Sequence, residues 1–178
     1  LARAVGCPGA GQVLIGGTAA GAGNLISGNN SDGIELTGVG SSNNIVQGNL
    51  IGTDAGGTVA IANSVNGVNF TTNPRANRIG GTVAGEPNII AFNLGDGISV
   101  ATGTNNVLRG NSIFSNGNAA NDIGIDLGTT GVTANDLGDT DVTANQLQNF
   151  PLLTAANNSL TGTVVSGSLN SAASASFA

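Results

Sequence analysis

Four apolar–polar–apolar triplets recur along the chain: Ile34-Glu35-Leu36, Val68-Asn69-Phe70, Ile98-Ser99-Val100 and Ile125-Asp126-Leu127. Strict alternation marks a strand with one face buried and the other in water. Each triplet follows directly on a Gly, and an Asn stands four positions before that Gly in Asn29/Gly33, Asn63/Gly67 and Asn93/Gly97. The fourth copy, Asn116/Gly124, carries four extra residues.

A second strand lines up on Gly17, Gly48, Gly81 and Gly110, with Ile15, Val46, Ile79 and Leu108 two places earlier. The column before it reads Leu14, Ile45, Arg78 and Val107. A buried charge would be costly there, so that column is expected to face outward, with Gln47 and Arg109 sharing its parity. A third strand places Ile26, Ala60, Ile90 and Ile113 three positions before the anchoring Asn. The strongest self-match pairs Ile15 through Leu36 with Ile79 through Val100, 64 residues further on.

Three short strands in roughly thirty residues, with no helical stripe, describe one coil of a solenoid that stacks on its neighbours. Like residues then form interior ladders, and the rise per coil is about 4.8 Å. The predicted fold class is all-β: a right-handed parallel β-helix of about four coils with a C-terminal β-strand segment. Asn tolerates the left-handed backbone of a sharp corner, and its amide can bond its counterpart one coil away. Asn29, Asn63, Asn93 and Asn116 are therefore expected to stack as a ladder.

The stretches Asn44-Ile45-Val46-Gln47-Gly48-Asn49, Asn106-Val107-Leu108-Arg109-Gly110-Asn111 and Asp96-Gly97-Ile98 resemble the parallel β-helix repeat of pectin-lyase-like proteins. Gly131 through Asp139 and Leu147-Gln148-Asn149-Phe150-Pro151 are similar to the segment that closes such helices in large bacterial surface proteins, ahead of a β-sandwich. The resemblance covers roughly residues 10–178. It implies a right-handed solenoid and secretion, with an extracellular or cell-surface location, but no single activity, because the repeat serves enzymes and adhesins alike.

Composition narrows the options. Only 8% of the 178 residues are charged, and ten acids against four arginines (Arg3, Arg75, Arg78, Arg109) leave a net charge of −6. No basic stripe exists for nucleic acid, and no apolar run is long enough to span a bilayer. Cys7 stands alone in a chain without His, so neither a disulfide within the chain nor a Cys–His pair is available, and it reads as an incidental thiol. Both ends read as those of a fragment.

Residues 1–127 are thus assigned to the coils, 128–150 to a closing loop, and 151–178 to the beginning of a second, sandwich-like β-domain. Leu152-Leu153-Thr154-Ala155 and Ser159 to Val165 read as strands, with another starting in Ala173 to Ala178. In the closing loop Asp136, Asp139 and Asp141 lie within six residues. Such a set of hard oxygens could hold a structural Ca²⁺, although the spacing is not that of an EF-hand; the other reading is a solvated loop with Asx turns.

Three function classes remain. Hydrolysis of a polysaccharide usually needs two carboxyl groups about 5–10 Å apart. Glu35 and Asp126 are three coils apart, about 14 Å, whereas Asp32 and Asp96 flank Asn66 at about 10 Å. Each of the latter sits beside a turn Gly, where bonding the backbone is the commoner role. Arg78 and Arg109 could grip a uronate, but the chain has no Lys, Trp or Tyr to complete a lyase or sugar-binding cleft. The mixed outward column Glu35, Asn69, Ser99 and Asp126 does not suit ice. The remaining expectation is a non-catalytic structural or adhesive module with a polysaccharide or a surface protein as partner; a polysaccharide-binding or polysaccharide-degrading fragment is the alternative.

Overall fold

The computed structural model of the chain describes residues 5–9, 11–159 and 162–171. The side chain of Cys7 and the segment Ala173 to Ala178 lie outside those residues. Within them the chain is a parallel β-solenoid of about four coils, followed by an antiparallel strand pair.

Every coil supplies one strand to each of three parallel sheets. The first sheet stacks β1 (Val5–Pro8), β4 (Ile34–Thr37), β7 (Val68–Thr71), β10 (Ile98–Val100) and β13 (Ile125–Leu127). In the second, β2 (Leu14–Gly16), β5 (Ile45–Gln47), β8 (Arg78–Gly80) and β11 (Val107–Arg109) are neighbours. The third contains β3 (Leu25–Ile26), β6 (Leu50–Ile51), β9 (Ile89–Ala91) and β12 (Ser112–Phe114).

The register is the one the repeat dictates. Ile34, Val68, Ile98 and Ile125 pair in sequence, as do Ile15, Val46, Ile79 and Leu108. The core packs the inner side chains of all three sheets together, with Val68, Phe70, Ile79, Ile90 and Ile98 fully buried. Leu14 and Val107 are exposed, so their column faces outward as its charge required. At the last rung the burial pattern inverts. Ile125 is 40% exposed and lines an open groove between the last coil and the segment that follows it, whereas Asp126 is buried at 3%.

Three expectations need correction. Ala60 is not in the third interior column; Ile51 takes its place, paired with Ile26 and Ile90. The second coil makes an excursion between its third strand and Asn63, closed by an antiparallel bridge from Thr53 to Ala60, so counting back from the Asn lands in the loop. The first sheet also has a strand, β1, ahead of the first recognised copy. Finally, the left-handed backbone falls on the residue before several ladder asparagines rather than on the Asn itself: Asn43, Ala76, Phe92, Asn105 and Ser115 all have φ between 51° and 63°.

Beyond the coils, residues 128–150 lie against the last coil through a turn at Ala144–Leu147 whose four residues all have a left-handed backbone, φ between 40° and 61°. Strands β14 (Leu152–Ser159) and β15 (Gly162–Ser168) then form an antiparallel pair exposed along both strands.

Candidate functional site

The polar side chains of the coils are organised first as three asparagine ladders, one at each corner. Asn29, Asn63, Asn93 and Asn116 stack as expected, each Nδ2 donating to the Oδ1 of the next at 2.7–2.8 Å. Two further ladders join them. In one, Asn24, Asn49, Asn88 and Asn111 link at 2.8–3.0 Å. In the other, Asn44 donates to Asn77 and Asn77 to Asn106 at 2.9–3.0 Å. Asn145 of the closing segment completes this last ladder, accepting from the Asn106 backbone N–H at Oδ1 and donating from Nδ2 to the Asn106 carbonyl, both at 2.7 Å. The signal for the extra ladders was present in Asn24/Asn88 and in the repeated Asn-x-x-x-Gly-Asn phrases. Only one corner was read from it.

The glycine four places after each anchoring Asn has a steric cause. A Cβ on Gly67 would lie 2.6 Å from the Gly97 carbonyl and 2.9 Å from Asn93 Nδ2, the ladder amide of the next coil. Gly33 and Gly97 meet Asn63 and Asn116 in the same way, also at 2.9 Å.

Asp32 and Asp96 are not aimed at a common cleft. Asp32 Oδ1 accepts from the Asn66 backbone N–H at 2.9 Å, and its Oδ2 accepts from Asn69 Nδ2 at 3.0 Å. Asn66 Oδ1 then accepts from the Asp96 N–H at 2.8 Å, and Asp96 Oδ1 from the Ile123 N–H at 2.7 Å. These side chains fasten each coil to the next. The arginine pair is also divided. Arg78 bonds Glu86, Gln47 and the Gly80 carbonyl, each at 2.8 Å, and this arrangement covers Gln47 although its column faces outward. Arg109 reaches Thr82. Glu86 is held below the usual carboxylate range, chiefly by the Val83 N–H and then by Arg78.

In the closing segment Asp136 and Asp139 converge on Asn149 rather than on each other. The Asp136 N–H donates to Asn149 Oδ1 at 3.0 Å, and the Asn149 N–H donates to Asp139 Oδ1 at 3.0 Å. Asp136 Oδ2 accepts from Thr140, and Asp139 Oδ2 from Ser171. Asp136 Oδ1 is buried without a partner. No cluster of three or more His, Cys, Asp or Glu able to hold a metal ion occurs among the described residues.

An open groove of about 810 Å³ lies at this end, with Leu108, Ile125 and Leu127 of the last coil on one side and Leu147 and Phe150 on the other. No family model, curated protein or solved structure matches the chain.

Proposed function

We propose that this chain is a non-catalytic structural or adhesive segment of an extracellular surface protein, a stiff stalk built on a pectin-lyase-like β-helix and leading into a sandwich-like domain. The observation that supports this reading is the use made of the polar side chains. The ladder asparagines and the turn residues Asp32, Asn66 and Asp96 are consumed in coil-to-coil hydrogen bonds. A partner, whether polysaccharide or surface protein, would meet the short outward residues and the groove at the closing end.

The alternative is a polysaccharide-binding or polysaccharide-degrading fragment. It draws on Asp96 and Asp126, which the register sets on adjacent coils and burial holds above the usual carboxylate range. That same burial, with 6% and 3% exposure, keeps them from a polymer. The test is release of reducing ends or unsaturated products from pectin, alginate and related polymers. Silence across the panel is expected; turnover abolished by Asp96→Asn or Asp126→Asn would establish the enzyme instead.

A structural Ca²⁺ in the closing segment belongs to the same proposal. Asp136 Oδ1, buried and unpartnered, is an oxygen open to a cation, and because the three carboxylates form no cluster as the loop stands, binding would have to draw Asp139 and Asp141 toward it. Bound there, the ion would contribute charge neutralisation to a loop otherwise held by Asn149.

A further inference from the structure

We propose that Asp96 and Asp126 share a single proton, and that this proton fastens the start of the closing segment to the coils, so that the C-terminal end loosens as pH rises. The geometry comes from a mismatch in an otherwise regular pattern. In the first and second coils Asp32 faces Asn69, and the amide of Asn69 donates to the carboxylate at 3.0 Å. Two coils later the same positions are Asp96 and Asp126, because Asp126 lies in register with Ser99 and hence with Asn69. The donor has been replaced by a second acid.

Each acid has one oxygen occupied by the backbone. Asp96 Oδ1 accepts from the Ile123 N–H at 2.7 Å, and Asp126 Oδ2 from the Gly131 N–H at 3.1 Å. The other Asp126 oxygen, Oδ1, is buried with no donor. The register sets the two side chains against each other as it sets Asp32 against Asn69. Two carboxylates cannot bond each other, but a carboxyl and a carboxylate can, and one retained proton satisfies the orphaned oxygen. Asp122, on the turn before β13, adds a third negative charge to both. Its Oδ2 accepts from the Asn118 and Ala119 N–H groups. The register and ladder neighbours on the adjacent coils, Ser99 and Asn66, are neutral. Burial is the main cause that raises both acids above the ordinary carboxylate value.

The sign follows by linkage. The folded pair retains a proton that the unfolded chain releases, so its stabilisation is complete below the ordinary Asp value. It is lost as pH climbs from there through the raised folded value. At that point two or three like charges face each other beneath residues 126–131.

The experiment compares the wild-type chain with Asp126→Asn and Asp96→Asn from about pH 4 to pH 8, by melting temperature and by hydrogen exchange at the Gly131 and Ile123 amides. In either variant the new amide can supply the missing hydrogen while its oxygen keeps the backbone N–H. Each single variant should melt above wild type at pH 8, by about 2–4 °C per kcal/mol regained for a chain of this size. That gain should shrink toward pH 4, where the wild-type pair keeps its proton, and in the variants amide protection should no longer fall with pH. The double variant sets two amide donors against each other and should lose the gain. The proposal is overturned if both single variants melt below wild type at pH 8, or if their pH profiles parallel that of wild type. It is also overturned if millimolar Ca²⁺ raises the wild-type melt at pH 8 and Asp126→Asn abolishes that rise, since a cation would then hold the pair.

Discussion

Asn63 shows what a ladder residue must do. Its Oδ1 accepts from both the backbone N–H and the Nδ2 of Asn29, and its Nδ2 donates to the Ile26 carbonyl and to Asn93 Oδ1. Only an amide of this length offers both halves, and the side chain is fully buried. Asn63→Asp keeps the acceptor and loses the donor, setting a buried carboxylate against two oxygens. Each unsatisfied buried partner costs about 1–3 kcal/mol, so the loss should exceed about 3 kcal/mol in denaturant unfolding. A loss below about 1 kcal/mol would show that the ladder contributes little. At this scale the sequence was legible where the Asn recurs at fixed spacing from a Gly. The left-handed residue before several ladder asparagines was not, because Asn, Ala, Phe and Ser all fill it.

The strand columns act as units, and the position of a residue in its column decides its weight. Ile98 is fully buried between Val68 and Ile125, whereas Ile125 at the last rung is 40% exposed. Ile98→Asp should therefore be severely destabilising, by about 4 kcal/mol or more. Ile125→Asp should cost less than half as much in the same urea titration. Equal losses would mean that the end of the core is covered as tightly as its middle. The register of the first two sheets was readable because a period of two leaves no freedom to slip once one face is apolar. The failure at Ala60 has the opposite origin. The Thr53–Ala60 excursion carries its own hydrogen bonds, including Thr58 and Val59 N–H to Asp54 Oδ1 at 2.9 Å, and adds residues without altering the coil.

Across the whole molecule, stability is a sum of coil-to-coil interfaces, so the ends are the weak points. The closing segment meets the last coil by placing Asn145 as a fourth rung, and Asn149 ties Asp136 to Asp139 within the segment itself. If Ca²⁺ adds to that closure through Asp136, Asp139 and Asp141, EDTA should lower the melting temperature and added Ca²⁺ restore it. A melt indifferent to both would leave the segment to its hydrogen bonds. The β14–β15 pair exposes Leu153 at 70% and Val164 at 62%, and an isolated hairpin is marginal in water.

By itself the sequence determined the architecture: three strands per coil, parallel stacking, the interior columns and an asparagine ladder. These follow from local periodicity and from identity at equivalent positions, and a repeat translates both directly into space. Tertiary structure decided what repetition cannot encode. It set which turn acids bond the next coil, brought Asn145 from outside the repeat into a ladder, and buried Asp126 against Asp96 under the closing segment. Those outcomes depend on which unlike residues meet across coils and at the end of the stack, and no period along the chain records that.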